Sequence, residues 1–211
     1  MKNVKEIVEV LNTFNNYTLS NKSDDGRVNS LDSEDKLVED IILNLSDMTS
    51  IRIDSKSTNR DEHDLVFNIH DIDGSLILSE GTDIKIVEPS NFTNTVSFIK
   101  LSKMINLSGN SYETVAKSYS DKKVKGELKL TSDYSILFFD KSTNKFKHVY
   151  LSEMSLSDAV ANPSNCIQTK IPTAIVSRND EEKFEFIHGL WKSYIYKRIV
   201  SPAELFKDVN F

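Results

Sequence analysis

At 211 residues, 38% of them hydrophobic, the chain is long enough to bury a core, and we expect a single domain over residues 1–211, or one domain with a small lobe. No apolar run approaches the ~20 residues of a membrane span, so we expect no membrane contact. The formal net charge of −6 disfavours a general nucleic-acid binder, which usually presents a basic face.

Two amphipathic helices are predicted at the start of the chain. Apolar residues at helical spacing predict the first over about residues 2–15: Val4, Ile7, Val8, Leu11 and Phe14. A polar loop is predicted over residues 20–33. Asp32 or Ser33 then caps a second helix, whose apolar stripe is Leu37, Ile41, Leu45 and Met48.

Residues 51–88 have the pattern of a short strand followed by a β-hairpin. Ile51–Ile53 predicts the short strand, and residues 54–60 read as a polar loop. Alternating Leu65, Phe67 and Ile69 predict a half-buried strand, and residues 71–74 supply the turn chemistry, with Gly74 free to take positive φ. On the returning strand, residues 79–81 interrupt the apolar pattern and predict a bulge or bend.

The hairpin carries residues suited to phosphate chemistry. Residues two apart on a strand point to the same face, so Asp83 and Lys85 project together. Asp64, at the start of the paired strand, is expected to join them. Two carboxylates are hard oxygen donors of the kind that Mg²⁺ takes, and a lysine can orient a water or stabilise charge on a phosphate. The pattern therefore predicts metal-dependent phosphodiester hydrolysis.

The spacing Asp64-(x18)-Asp83-Ile-Lys85 on a hairpin resembles the core motif of PD-(D/E)xK nucleases. In detail it resembles type II restriction endonucleases of the EcoRV-like branch, where the motif also reads Asp-Ile-Lys. His63 stands where the motif has proline, a position that shapes the bend more than the chemistry. Residues 26–30, Gly-Arg-Val-Asn-Ser, and the segment 181–192 are similar to the opening and the closing helix of such enzymes.

The order of predicted elements gives an α/β domain with a central mixed β-sheet flanked by helices. The resemblance, over roughly residues 20–200, implies that this is a restriction-endonuclease-like core. It further implies Asp64 and Asp83 as Mg²⁺ ligands, Lys85 as the residue that positions the attacking water, and a homodimer that cleaves both strands of double-stranded DNA at a specific site. The family's acid on an early helix matches Glu34 best and Glu39 next; alternatively, both solvate an exposed helix face.

Two further Asp/Glu-x-Lys triplets compete with the hairpin motif. Asp54-Ser-Lys56 has a polar middle residue and runs into a loop sequence, while Glu127-Leu-Lys129 lacks a hairpin partner. We therefore expect the active site at Asp83-Ile-Lys85.

The rest of the chain alternates helices and strands. Helices are predicted from Phe98 to about residue 107 and from an Asn179–Glu182 capping box to Pro202, with Trp191 in the core and His188 packed or at the solvent edge. Strands are predicted over residues 134–139, 145–151 and 166–171. Residues 108–126 read as a DNA-facing loop or helix, or equally as a solvated surface.

Lysines cluster apart from the acids, which lessens the objection from net charge. The candidate DNA contacts are Lys122 and Lys123 in one lysine cluster and, from a loop and strand further on, Asn165, Gln168 and Lys170. The single cysteine, Cys166, excludes an internal disulfide framework. With no signal peptide evident, a cytoplasmic location is expected.

Two alternative functions remain. A repair or junction nuclease would keep the same core and cut with little sequence preference. A non-catalytic acidic interaction module would show no Mg²⁺-dependent cleavage and no salt-sensitive DNA affinity.

Overall fold

A computed structural model describes residues 3–17, 19, 26–55, 63–164 and 166–201, with residues 26–32, 54 and 55 as backbone only. The α-helices are α1 (Val4–Leu11), α2 (Gly26–Leu45), α3 (Phe98–Met104), α4 (Tyr112–Lys125) and α5 (Asp180–Ile195). The strands are β1 (Ile51–Ser55), β2 (Leu65–His70), β3 (Leu76–Val87), β4 (Thr93–Val96), β5 (Ser135–Asp140), β6 (Lys145–Tyr150), β7 (Ala159–Asn162) and β8 (Cys166–Thr169). The protein is therefore α/β, as predicted.

The chain divides into two compact units, residues 1–91 with 135–149 and residues 92–134 with 150–211. The first holds a five-stranded sheet in the order β1-β2-β3-β5-β6. Its β1, β2 and β3 are antiparallel neighbours, while β5 pairs with β3 in parallel, Thr82 opposite Ser135. The predicted mixed central sheet is thus present.

One face of this sheet is covered by α1 and α2. Asn3 caps α1, accepting a hydrogen bond from the backbone N–H of Glu6 at 3.0 Å. The buried stripes of both helices pack on inward residues of the strands, and fully buried members of this core include Ile7, Leu37, Ile41, Leu65, Phe67, Ile69 and Ile84. The inward residues of the hairpin are thus fixed in this core, and strand alternation points their neighbours to the other face of the sheet.

The second unit contains the three-stranded sheet β4-β8-β7 with α3, α4 and α5. The predicted capping box at Asn179 and Glu182 begins α5. Trp191 is buried, as predicted, and its Nε1–H donates to Ser102 Oγ at 3.0 Å. Residues 108–126, left open between loop and helix, form α4 from residue 112 onward. Within the described residues, no helix has the length and apolar character needed to cross a membrane.

Three local predictions are wrong, and two strands were not predicted. Helix α2 begins at Gly26, so residues 26–33 are not a loop; Ser33 is buried one turn before Leu37 and extends the same stripe with a small polar side chain. Strand β1 continues through residues 54 and 55, which pair with Val66 and Leu65. Strands β4 and β7 were not anticipated. Finally, α1 ends at Leu11, short of the predicted residue 15, and Pro202 lies outside the described residues.

The bulge predicted at residues 79–81 is also absent. Pairing between β2 and β3 is regular there, and the register shift lies instead between Ile69 and His70 at the turn end of the hairpin. Gly74 has the expected positive φ, +85°. The glycine at position 81 has another role, which concerns the candidate site.

Candidate active site

The hairpin brings Asp64, Asp83 and Lys85 together. Antiparallel pairing sets Leu65 opposite Thr82, so Asp64 and Asp83, the next residues along each strand, are neighbours. Oδ2 of Asp64 accepts a hydrogen bond from the backbone N–H of Ile84 at 2.8 Å. Nζ of Lys85 lies 3.9 Å from the same oxygen. The Asp64 carboxylate thus joins the start of one strand to the Asp-x-Lys segment of the other.

Strand alternation explains why these side chains share a face. Ile84, between Asp83 and Lys85, is fully buried in the core beneath α1 and α2. Its neighbours must therefore point to the opposite side of the sheet. Asp83 is only 5% exposed, and the Asp64 and Lys85 side chains are 26% and 14% exposed. The site is sheltered from bulk water. Charge interactions are therefore stronger within it than at an open surface.

His63 belongs to the same cluster, although the sequence predicted for it only a role in the bend. Its Nδ1 lies 3.0 Å from Oδ1 of Asp83. The ring rests against the backbone of Gly81, where a Cβ would come within 2.0 Å of Cδ2. An isolated glycine within a strand can indicate the close approach of another group as well as a bulge. Gly81 was therefore a sequence signal for the contact with His63.

The charges of the cluster favour a bound cation. Two neighbouring carboxylates repel one another, and the single ammonium of Lys85 offsets one of the two negative charges. The donor set, two aspartates, matches Mg²⁺, which is commonly held by one or two carboxylates with waters and phosphate oxygens in its other positions. No group of three or more His, Cys, Asp or Glu residues within the described part of the chain is arranged to hold a metal. Any Mg²⁺ here would accordingly rest on the aspartate pair.

Glu34 and Glu39 lie on α2, half-buried and exposed respectively. The buried stripe of α2 packs on the sheet face that carries Ile84, whereas Asp83 and Lys85 point from the opposite face. The place of Glu34 on this helix does not by itself join it to the aspartate pair, and its catalytic role stays a prediction.

The competing triplets differ in setting from the hairpin motif. Glu127 and Lys129 are exposed in a segment that is neither helix nor strand. Asp54 is on β1, while Lys56 lies outside the described residues.

The residues predicted to contact DNA have varied surroundings in the second unit. Nζ of Lys122 donates to the backbone carbonyl of Asn106, while Lys123 lies over the ring of Tyr119. Nζ of Lys170 is 3.6 Å from Asp158 and lies over the ring of Phe92. Asn165 lies outside the described residues.

Gln168 takes part in a row of amides across the small sheet. It accepts a hydrogen bond from Asn162 Nδ2 at 3.0 Å and donates through its own Nε2 to Asn94 Oδ1 at 2.9 Å. These bonds hold the amide groups of three adjacent strands in fixed orientations.

A buried polar chain near the hairpin was not anticipated. Thr82 Oγ1 lies 2.8 Å from Ser135 Oγ, which is 2.8 Å from His148 Nε2. The same nitrogen is 3.3 Å from Oε1 of Glu80. Thr82 and Glu80 lie on the same face of β3 as Ile84, which is opposite to the face of Asp83. These hydrogen-bonded polar side chains are therefore packed on the side of the sheet that α1 and α2 cover, and we assign them a structural role.

No protein-family model matches the chain, and no curated protein matches it in sequence.

Proposed function

We propose that this protein is a Mg²⁺-dependent endonuclease that hydrolyses phosphodiester bonds in both strands of duplex DNA at a specific site, as type II restriction enzymes do. The observation that carries the proposal is the convergence of Asp64, Asp83 and Lys85 on one hairpin, with Oδ2 of Asp64 linked both to the backbone of Ile84 and to Lys85 Nζ. The order of three antiparallel strands followed by a parallel fourth supports a restriction-endonuclease-like core.

The residues have distinct roles in the proposed reaction. Asp64 and Asp83 would hold Mg²⁺, which when bound supplies positive charge to the scissile phosphate. Lys85, fixed near Asp64, orients the attacking water and stabilises negative charge that develops on the phosphate. His63 keeps the Asp83 carboxylate in place. A site sheltered from bulk solvent makes these charge interactions effective.

The proposed assembly is a homodimer, because a protein with two-fold symmetry matches the symmetry of a palindromic site. Light scattering of the purified protein at several concentrations measures this directly. A monomer in the presence of its DNA would contradict the dimer while leaving the chemistry of the hairpin open to the cleavage assay.

The test is digestion of phage DNA with Mg²⁺, followed by sequencing of the fragment ends. We expect discrete bands with one common sequence at the ends. A smear would indicate the alternative, a nuclease with little sequence preference. No cleavage of any DNA, together with no salt-sensitive DNA affinity, would favour the acidic interaction module.

A further inference from the structure

The second unit contains a pocket that the proposed cleavage does not use. It has a volume of about 300 Å³ and lies between α4, the segment after it, and α5. Tyr119 and Lys123 are one turn apart on α4, and Phe184, His188 and Lys192 follow at successive turns of α5. Two helical stripes of the same kind, aromatic residues followed by a lysine, therefore face one opening.

The aromatic wall of this pocket is firmly held. Tyr119 stacks on Trp191 with ring centroids 4.8 Å apart and an interplanar angle of 20°. His188 is 7% exposed, lies 5.2 Å from the ring of Phe184, and has its Nε2 3.4 Å from the Tyr119 hydroxyl. Trp191 is itself hydrogen-bonded to Ser102. The aromatic side chains of the wall are therefore preorganised, and binding of a ligand would require little further ordering of them.

The mouth of the pocket is positively charged. Lys123 lies 5.8 Å from the centre of the Tyr119 ring, and both it and Lys192 are exposed at the rim, together with Glu185. Their fields reach the ring of His188. Burial and the charge of Lys192 lower the pKa of His188, Glu185 opposes this, and Lys123 lowers the pKa further. At the rim, the two lysines outnumber the single carboxylate of Glu185.

We propose that this pocket binds a nucleotide unit, with its phosphate between Lys123 and Lys192 and its base against the rings of Tyr119 and Phe184. Paired lysines beside aromatic faces are the combination that recognises a phosphate attached to a planar base. A phosphate alone would use only the lysines, and a neutral aromatic compound only the rings. The unit belongs to a free mononucleotide or to a single-stranded nucleic acid, which present the same chemistry. The proposal does not depend on nuclease activity.

Trp191, the single tryptophan, is the natural reporter because it backs Tyr119. The full chain is titrated in EDTA, so that no divalent cation supports cleavage, with AMP, inorganic phosphate and a twelve-residue single-stranded oligonucleotide as separate probes. We expect saturable changes in fluorescence with AMP, the oligonucleotide or both, and much weaker binding of inorganic phosphate. Saturation by AMP alone assigns the pocket to free nucleotides, and by the oligonucleotide alone to a strand.

Variants locate the site. Lys123→Ala and Lys192→Ala should each weaken binding about tenfold, as expected for a hydrogen bond to a charged group. Lys192→Arg should retain it. Lys125→Ala is the matched control: it removes the same charge from the same turn of α4 but does not line the pocket, and its affinity should change less than about twofold.

A second measurement, on the unsubstituted protein, tests whether the ligand binds beside His188, so that weaker binding by the variants is not mistaken for an effect of the substitutions on folding. The NMR titration of His188 should show its pKa rising when AMP or the oligonucleotide binds, because a phosphate opposes the field of the two lysines. The proposal is overturned by any of three results: none of the probes binds, inorganic phosphate binds as tightly as AMP, or Lys125→Ala weakens binding as much as Lys123→Ala.

Discussion

The imidazole of His63 lies against Gly81 so closely that a Cβ at residue 81 would come within 2.0 Å of the ring's Cδ2. This contact places Nδ1 of the same ring 3.0 Å from Oδ1 of Asp83. Gly81 thus admits the side chain that holds an aspartate of the candidate site. The absence of a side chain at residue 81 makes room for the His63 ring, and the pairing of β3 itself remains regular.

Gly81→Ala should therefore reduce stability in the wild-type background, by about 1 kcal/mol, because the added methyl group displaces the His63 ring. The ring is partly exposed, so it can swing outward and limit the cost. In a His63→Ala background the same change should be neutral or stabilising, since alanine is favoured over glycine in a strand. Urea unfolding of the wild type, the two single variants and the double variant gives the interaction energy between residues 63 and 81. Equal effects in both backgrounds would show that the two residues are not coupled.

Lys85→Ala should lower the cleavage rate by about 10²–10³, the loss typical for removal of one preorganised group that stabilises a transition state. Lys129→Ala is the control: it removes the lysine of a competing triplet from an exposed segment and should cut normally. Single-turnover cleavage of a defined fragment measures both. If Lys129→Ala is inactive and Lys85→Ala is not, the active site has been assigned to the wrong part of the chain.

Asp83→Asn should abolish Mg²⁺-dependent cleavage and leave the protein folded. The substitution preserves side-chain volume at a position that is 5% exposed, so no cavity forms, while the charge that attracts the metal is lost. Calorimetric titration with Mg²⁺ and circular dichroism separate the two effects. A native spectrum with unchanged Mg²⁺ affinity would argue against Asp83 as a ligand.

Ca²⁺ should support specific DNA binding with little or no cleavage, whereas Mg²⁺ should support both. Ca²⁺ accepts the same carboxylates at longer and more variable distances, and it is a poorer activator of water. Gel-shift and cleavage assays on one fragment, with each ion in turn, make the comparison. Rapid cleavage with Ca²⁺ alone would contradict the two-carboxylate site.

Burial raises the pKa of Cys166 to about 12, so its thiol should resist alkylation in the folded protein. At pH 8.5 we expect iodoacetamide to react about 10³-fold more slowly with the native chain than with the urea-unfolded chain, because the thiolate is the reactive form. Because the folded pKa is raised, the associated stability is fully present below the unfolded value of about 8.5 and is lost as pH rises towards 12. Mass spectrometry follows the alkylation, and equal rates in both states would contradict a buried thiol.

The sequence by itself determined the features that depend on neighbouring residues. Alternation over Leu65–Ile69 predicted β2, Gly74 marked the turn, and the Asn179–Glu182 pair marked the start of α5. Two-residue periodicity also placed Asp83 and Lys85 on one face. In each case the physical cause is local, either the strand period or a backbone group that needs a nearby partner.

Tertiary structure alone decided the rest. Residues 26–33 are polar enough for a loop, yet they form a helix whose buried stripe accepts Ser33. The parallel pairing of Thr82 with Ser135 joins segments more than fifty residues apart, and no local pattern specifies that partner. His63 meets Asp83 only because the paired strand offers a glycine beneath its ring. Such contacts depend on which distant surfaces are brought together, a choice made by packing of the whole core and not by propensity.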